Sequence, residues 1–354
     1  MRNFGSDKLS ALDAKFEAQK IAFGPIAFQA VRVMRDLGIL QKVEGSRKKG
    51  ILVEDIAEDL KLSKYSVQVL LDAGISCGVV MQKENKFFLT KTGYFILNDP
   101  LTEANMDFVQ DVNYLGFYNL EDSVKNGKPE GLKVFGKWKT IYEGLSSLPE
   151  KVQDSWFKFD HYYSDLVFPL VMPLIFADKP KHLLDIGGNT GKFSIKAAQY
   201  NPDVQITILD HPGQLNVAYQ KIEEVGLSDR IDGFPIDLLN PKNAYPNEVD
   251  AIWMSQFLDC FSEEEITHLL SRAFDALVPG GILYINETYW DRQKYVASSY
   301  SLNMTSLYFT ALANGNSRMY HSDDMIRLVK KVGFEIAEDI DGLGVSHTLL
   351  KCKK

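Results

Sequence analysis

Nowhere in the 354 residues do about 18 apolar residues run together, which excludes a membrane-spanning helix. The opening stretch, "MRNFGSDKLSALDAKFEAQK", alternates charges and lacks an apolar segment, so no secretory leader is expected. Cysteine is scarce. Cys77, Cys260 and Cys352 lie far apart without metal-ligand spacing, so neither a disulfide framework nor a metal site is expected, and a reducing, cytoplasmic setting fits. An excess of basic charge is also missing. Against 47 acidic residues stand 39 Lys and Arg, a net charge of -8 that argues against nucleic acid as a main partner. No internal repeat or low-complexity tract interrupts the chain. What remains is a globular composition, 45% hydrophobic and 24% charged, on a chain long enough for two domains.

Three regions follow from texture: 1–100, 101–176 and 177–354. In the first, "FEAQKIAFGPIAFQAVRVMRDLGIL" repeats apolar residues at helical spacing, with a break expected at Gly24-Pro25. "ILVEDIAEDLKLSKYSVQVLLDAGISCGVV" reads as two short helices, the second N-capped by Ser63 and ending near Gly74. "VVMQKENKFFLTKTGYFI" reads as a hairpin turning at Glu84-Asn85. Helix, turn, helix and hairpin is the winged-helix order. The middle region is aromatic-rich and helical in pattern, with "KNGKPEG" as a loop. From Lys181 strands and helices alternate: "HLLDIGG", "VQITILD", "VDAIWMS" and "GILYINE" read as strands. That alternation predicts a mostly parallel sheet covered on both faces, with two closing strands making one edge antiparallel.

"LLDIGGNTGKFS" puts an acid at the end of an apolar strand, then Gly187, Gly188 and Gly191 ahead of a helix. Glycines there allow tight turning and close approach of backbone to a ligand. Asp210 ends the next strand, 23 residues after Gly187, near the spacing at which such an acid meets a ribose. Asp185, just before the glycines, would repel a pyrophosphate but suits a positively charged ligand. S-adenosylmethionine has no phosphate and carries a sulfonium and an ammonium. Further on, Asp237 and Leu238 offer an acid for an adenine edge beside an apolar wall.

With these motifs the chain resembles the class I S-adenosylmethionine-dependent O-methyltransferases of the plant caffeate and bacterial natural-product type. The resemblance rests on "LLDIGGNTG", "LDHP", "DLL", "DAIWMSQFLDCFSEEE", "LVPGGILYINE" and "KKVGFE", and spans nearly the whole chain. It implies an α/β fold: a Rossmann-like methyltransferase domain preceded by an α-rich winged-helix domain through which the protein forms a homodimer. It also implies S-adenosyl-L-methionine as cofactor, with Gly187 and its neighbours at the aminocarboxypropyl end, Asp210 on the ribose and Asp237 with Leu238 around the adenine. Phe261 falls where the family packs an aromatic on the adenine, and Ser255 where it has a polar cofactor contact.

The chain departs from the family at one point. Aligned on the shared strand, Asp259 occupies the place of the family's catalytic histidine and Cys260 that of the acid after it. A phenol near pKa ~10 lies roughly 6 units above a free aspartate and roughly 3.5 above a free histidine. At 1.36 kcal/mol per unit, aspartate makes full deprotonation about 3.5 kcal/mol harder. Burial against Phe257 and Phe261 would raise Asp259 and narrow that gap. A more acidic hydroxyl, transfer driven by proximity alone, or a carbon or nitrogen acceptor stay open as alternatives. Glu287 matches the first of the family's supporting acids and is expected to act with Asp259; the second maps to Ser317. His161 and His321 are candidates for a relocated base. Ser262 with Glu265 forms a capping box, which leaves Asp259 free of a capping role.

Phe157, His161, Tyr162, Met304 and Tyr308 are the expected substrate contacts, and they point to a flat or extended apolar acceptor. The leading reading is therefore methyl transfer to oxygen of an apolar or aromatic small molecule. Two alternatives stand beside it: a cofactor-binding relative that transfers no methyl, and a winged-helix regulator that senses a metabolite. The second helix of the winged-helix pattern carries a single lysine, Lys64, which suits a dimer interface better than DNA.

Overall fold

The computed structural model describes residues 7–240 and 242–354. The chain divides into two compact units, one reaching to Gln110 and the other running from Asp111 to Lys354.

In the first unit, α1 (Ala11–Ala22) stops at Phe23 and α2 (Gly24–Asp36) restarts at once, with Pro25 in its first turn where a missing N–H costs nothing. Then come α3 (Ile39–Gly45), α4 (Val53–Leu60) and α5 (Lys64–Ser76). Ser63 caps α5 by accepting the Ser66 amide at 3.0 Å. Strands β1 (Val80–Lys83) and β2 (Lys86–Leu89) pair antiparallel around Glu84 and Asn85, whose φ values of 52° and 62° are those of a tight hairpin turn. Helices α6 (Lys91–Asn98) and α7 (Pro100–Asp107) follow. Met34, Ile39, Leu40, Ile56, Val67, Leu71 and Phe87 fill the core of this unit. The winged-helix order read from the sequence is present. One side of α1 and α2 is uncovered: Leu12, Phe16, Phe23 and Ile26 are all exposed.

The second unit opens on α8 (Leu120–Asn126), α9 (Ile141–Gly144), α10 (Glu150–Ser164) and α11 (Phe168–Phe176). The early part is less helical than its pattern predicts. "FGKWKTIYEGL" yields only the single turn of α9, because the Trp138 ring lies against Gly136 and Gly144 where a side chain would otherwise stand. After it, β3 (His182–Ile186), α12 (Lys192–Tyr200), β4 (Gln205–Asp210), α13 (Pro212–Glu224), β5 (Ile231–Pro235), β6 (Val249–Ser255), α14 (Glu263–Ala276) and β7 (Leu277–Glu287) alternate. They are succeeded by α15 (Val296–Tyr308), α16 (Ser322–Val332), β8 (Glu335–Leu343) and β9 (His347–Lys353).

The sheet has the order β5-β4-β3-β6-β7-β9-β8. Its first five strands are parallel, while β9 runs antiparallel to both β7 and β8. Apolar side chains leave both faces. Leu184, Ile186, Ile252 and Met254 meet α14 and α16, and Leu183, Ile206, Ala251 and Trp253 meet α11 to α13. The chain leaves β3 for β4 on one side and later returns to place β6 on the other. Diverging connections of this kind open a crevice at the carboxyl ends of the strands. Among the described residues no helix is long and apolar enough to cross a membrane.

Candidate active site

A cleft lies in that crevice, at the carboxyl ends of the strands. Asp185 and the Gly187–Thr190 turn line it from β3, Ser255 and Gln256 from β6, and Asp160, His161, Ser164 and Phe168 from α10 and the start of α11. Phe193 and Trp253, stacked at 4.4 Å between ring centres, also line it.

The turn after β3 requires its glycines. Gly187 has φ 75°, and a Cβ there would collide with the Phe257 ring. A Cβ on Gly188 would stand 2.8 Å from Asp185 Oδ2. The Gly187 amide donates to Leu209 O at 2.9 Å and the Asn189 amide to Asp210 Oδ2 at 2.8 Å, so the ends of β3 and β4 hold the turn open. Asp185 is 2% exposed and accepts the Ser194 hydroxyl at 2.6 Å. Burial, with a smaller push from Asp210, drives its carboxyl up to about 7. Asp210 is raised by burial too, partly offset by the amides of His211 and Asn189. Backbone exposed by absent Cβ atoms, beside two buried acids, makes a cradle for a ligand that is polar and cationic.

At the exit of β6, Gln256 takes φ 46° and turns the chain, so that the amides of Phe257 and Leu258 donate to Glu287 Oε1 at 2.9 and 2.8 Å. Asp259 sits in the short helical turn that follows, 6% exposed. Its carboxyl is pushed up to about 6 by burial, less a contribution from the Cys260 thiol, which donates to Oδ1 at 3.5 Å. Glu287 is raised as well, by burial and by the charge of Asp259, against the backbone amides of Phe257, Leu258 and Asp259, which favour its carboxylate. Cys260 is raised as well, by burial and by Asp259, and stays a thiol. The capping box read from the sequence is present: Ser262 accepts the Glu265 amide while Glu265 accepts the Ser262 amide, so α14 starts without help from Asp259.

The remaining expected residues fall in different places. Tyr308 is 5% exposed and accepts the Trp156 indole N–H at 2.7 Å, which ties α15 to α10. Phe157 stands beside His161 at 5.8 Å between ring centres, and Tyr162 is half-buried against Tyr163. Met304 is 46% exposed and lies outside the cleft lining. Asp237 is exposed and accepts the Leu239 amide, Leu238 is buried with its carbonyl held by Arg272, and Phe261 packs edge-on to Phe257. His321 caps α16 through Nδ1 and Ser317 accepts an Asn314 amide proton, so both have structural tasks. Several lining residues escaped the sequence reading, among them Phe168, Phe193, Trp253, Gln256, Lys192 and Asp160. Gln256 is fixed by a 3.2 Å contact to the buried His347, Lys192 pairs with Asp165 at 2.5 Å, and Asp160 faces the cleft. Asp160 had a signal, since it shares a helix face with Phe157 and Ser164.

Two family models match the chain, a Dimerisation2-like domain over 15–87 and an O-methyltransferase domain over 117–335. The chain belongs to the O-methyltransferase family. This methyltransferase is 26% identical over 320 residues to the L-tyrosine C(3)-methyltransferase of Streptomyces lavendulae, covering 89% of this chain and 85% of that one. Its fold matches the S-adenosylmethionine-dependent methyltransferase SibL with a TM-score of 0.72 at 22% identity, over 95% of this chain and 98% of the other. It also matches human N-acetylserotonin methyltransferase in complex with S-adenosylmethionine, with a TM-score of 0.66 at 18% identity, over 99% of each. The methyltransferase is an S-adenosylmethionine-dependent enzyme, as the resemblance implied, and the readings as a non-transferring relative or a metabolite sensor are not supported.

Proposed function

We propose that the enzyme methylates a hydroxylated aromatic small molecule, with Asp259 as the proton acceptor and Glu287 as its partner. The observation that carries this reading is the buried Asp259–Glu287 pair just after β6, the strand whose last residue, Ser255, and the Gln256 after it line a cleft walled by Phe168, Phe193 and Trp253. The cofactor supplies an electrophilic methyl group on a sulfonium. Asp185 and the Gly187–Thr190 turn fit its aminocarboxypropyl end, Asp210 its ribose, and Ser255 lies at the cleft floor. Asp237, Leu238 and Phe261 are assigned to the adenine, and Phe157, His161, Tyr162, Met304 and Tyr308 to the acceptor.

Asp259 accepts the hydroxyl proton as nucleophilic character develops on the acceptor, and its raised carboxyl is better matched to a phenol than a free aspartate. The relatives named above include one that acts on L-tyrosine, which favours a phenolic acceptor. Incubation with methyl-labelled S-adenosylmethionine and a panel of phenols, enols and carboxylic acids tests the proposal. Label in phenols is expected, and label confined to non-aromatic acids contradicts it.

The uncovered apolar side of α1 and α2, within the stretch matched by the dimerisation model, supports a homodimer. Lys64 is ion-paired to Glu54 at 2.5 Å, which leaves α5 poorly equipped for phosphate and supports an enzyme that does not bind nucleic acid. Three free cysteines are in keeping with cytoplasmic residence.

A further inference from the structure

The cleft is acidic, yet the ligand end that its glycine turn suits is a zwitterion. Asp160 and Asp185 in the lining, with Asp210 behind the turn, suit the ammonium; the carboxylate needs a positive partner. Among the described residues of the lining, Lys192 is the one side chain charged positively at neutral pH. His161, the other candidate, is held below its ordinary 6.5 by burial and then by the charge of Lys192 itself. Lys192 is the first residue of α12, directly after Gly191, so the turn that opens its backbone to a ligand also carries this lysine into the lining.

The resting partner of Lys192 is a replaceable one. Its Nζ stands 2.5 Å from Asp165 Oδ2, but the two side chains are 38% and 39% exposed. Water competes for ion pairs with that much exposure, so they are held weakly. Asp165 follows the end of α10, outside the lining, and its other oxygen, Oδ1, is buried without a hydrogen-bond partner. In the turn itself Asn189 Oδ1 is also buried and unpartnered, a second polar group of the lining left open for a ligand.

We propose that Lys192 binds the carboxylate of the cofactor's aminocarboxypropyl end and gives up Asp165 to do so. The proposal rests on the placement of that end in the glycine turn and adds the residue that makes the enzyme prefer a cofactor bearing a carboxylate. The exchange puts one carboxylate in place of another on the same lysine. Asp165 is left beside water, whereas a cofactor carboxylate without Lys192 would face Asp160 and Asp185 unpaired.

Calorimetry on the full chain with two ligands tests this: S-adenosylhomocysteine, and its decarboxylated analogue, which keeps the ammonium, the thioether and the nucleoside. In wild type S-adenosylhomocysteine is expected to bind more tightly. Lys192→Met is expected to weaken it at least about tenfold and the analogue by less than about twofold. Lys192→Arg keeps the charge and should retain most of the preference. Asp165→Asn releases Lys192 and should tighten S-adenosylhomocysteine about threefold without changing the analogue. Binding of the analogue also reports that each variant is folded.

An ion pair that only fastened α10 to α12 would shift both ligands together or neither. Equal loss of both ligands in Lys192→Met, or loss of neither, therefore overturns the assignment. Unchanged or weaker S-adenosylhomocysteine binding in Asp165→Asn overturns the exchange. Gly187→Ala separates this proposal from the placement beneath it. If that variant also leaves S-adenosylhomocysteine affinity unchanged, the glycine turn does not hold the ligand and both fall; if it loses affinity while Lys192→Met does not, only the role of Lys192 falls.

Discussion

Replacing Asp185 by asparagine is expected to make the ligand-free enzyme more stable as pH rises, because Asp185 bears a buried charge that only a cationic ligand relieves. The carboxyl is 2% exposed and moves from its ordinary 3.8 up to about 7 on folding. For a carboxyl raised in the folded state, its stabilising contribution is fully present below the unfolded pKa and is lost as pH rises through the folded one. At 1.36 kcal/mol per unit the full loss is about 4 kcal/mol, complete above pH 7. Precipitation near the isoelectric point of about 5.4 sets the lower end of a useful window. Between pH 6 and pH 8 the gap between wild type and Asp185→Asn should shift by about 1.4 kcal/mol in favour of the variant. The gap at any one pH also contains the altered Ser194 hydrogen bond; its change with pH isolates the titration. Urea unfolding followed by tryptophan fluorescence measures it, since Trp138, Trp156, Trp253 and Trp290 all belong to the sheet-containing unit. A gap constant to within a few tenths of a kcal/mol over that window would refute the reasoning.

Gly187→Ala combines a left-handed backbone, costing roughly 1–2 kcal/mol, with a collision against Phe257. Calorimetry should show at least about a tenfold loss of S-adenosylhomocysteine affinity, a factor of ten being about 1.4 kcal/mol. Ser262→Ala removes the capping box of α14 and should lower stability by about 1 kcal/mol in urea unfolding. His321→Ala should cost stability through the cap of α16, and its methyl transfer rate should stay at the wild-type level if His321 is not a relocated base.

Most of the architecture was legible because it follows from local rules. The hairpin turn declares itself in Glu84-Asn85, the break at Gly24-Pro25 in a ring that needs no N–H, and the parallel strands in apolar runs separated by helices. Asp185 and the glycines were legible for the same reason, since strand, turn and helix are contiguous. Residues brought in from distant elements were harder to read. Asp160 shares a helix face with Phe157 and Ser164, but its place in the cleft shows only once the fold brings α10 to the glycine turn. His347 reaches Gln256 through the antiparallel β9, a pairing no local pattern specifies. The middle region misled by its aromatic spacing: Trp138 uses two glycines as a seat, and the expected helix shrinks to one turn.

The pH dependence of single-turnover methyl transfer to a phenolic acceptor, in wild type and Asp259→Asn, tests the central claim most directly. Asp259 must be ionised to accept a proton, so the wild-type rate should rise as pH increases through about 6 and then level off. Asp259→Asn should lose that rise and run about 10²–10⁴-fold slower on the plateau. A variant that transfers methyl at the wild-type rate across the same pH range would contradict the assignment of Asp259 as the base.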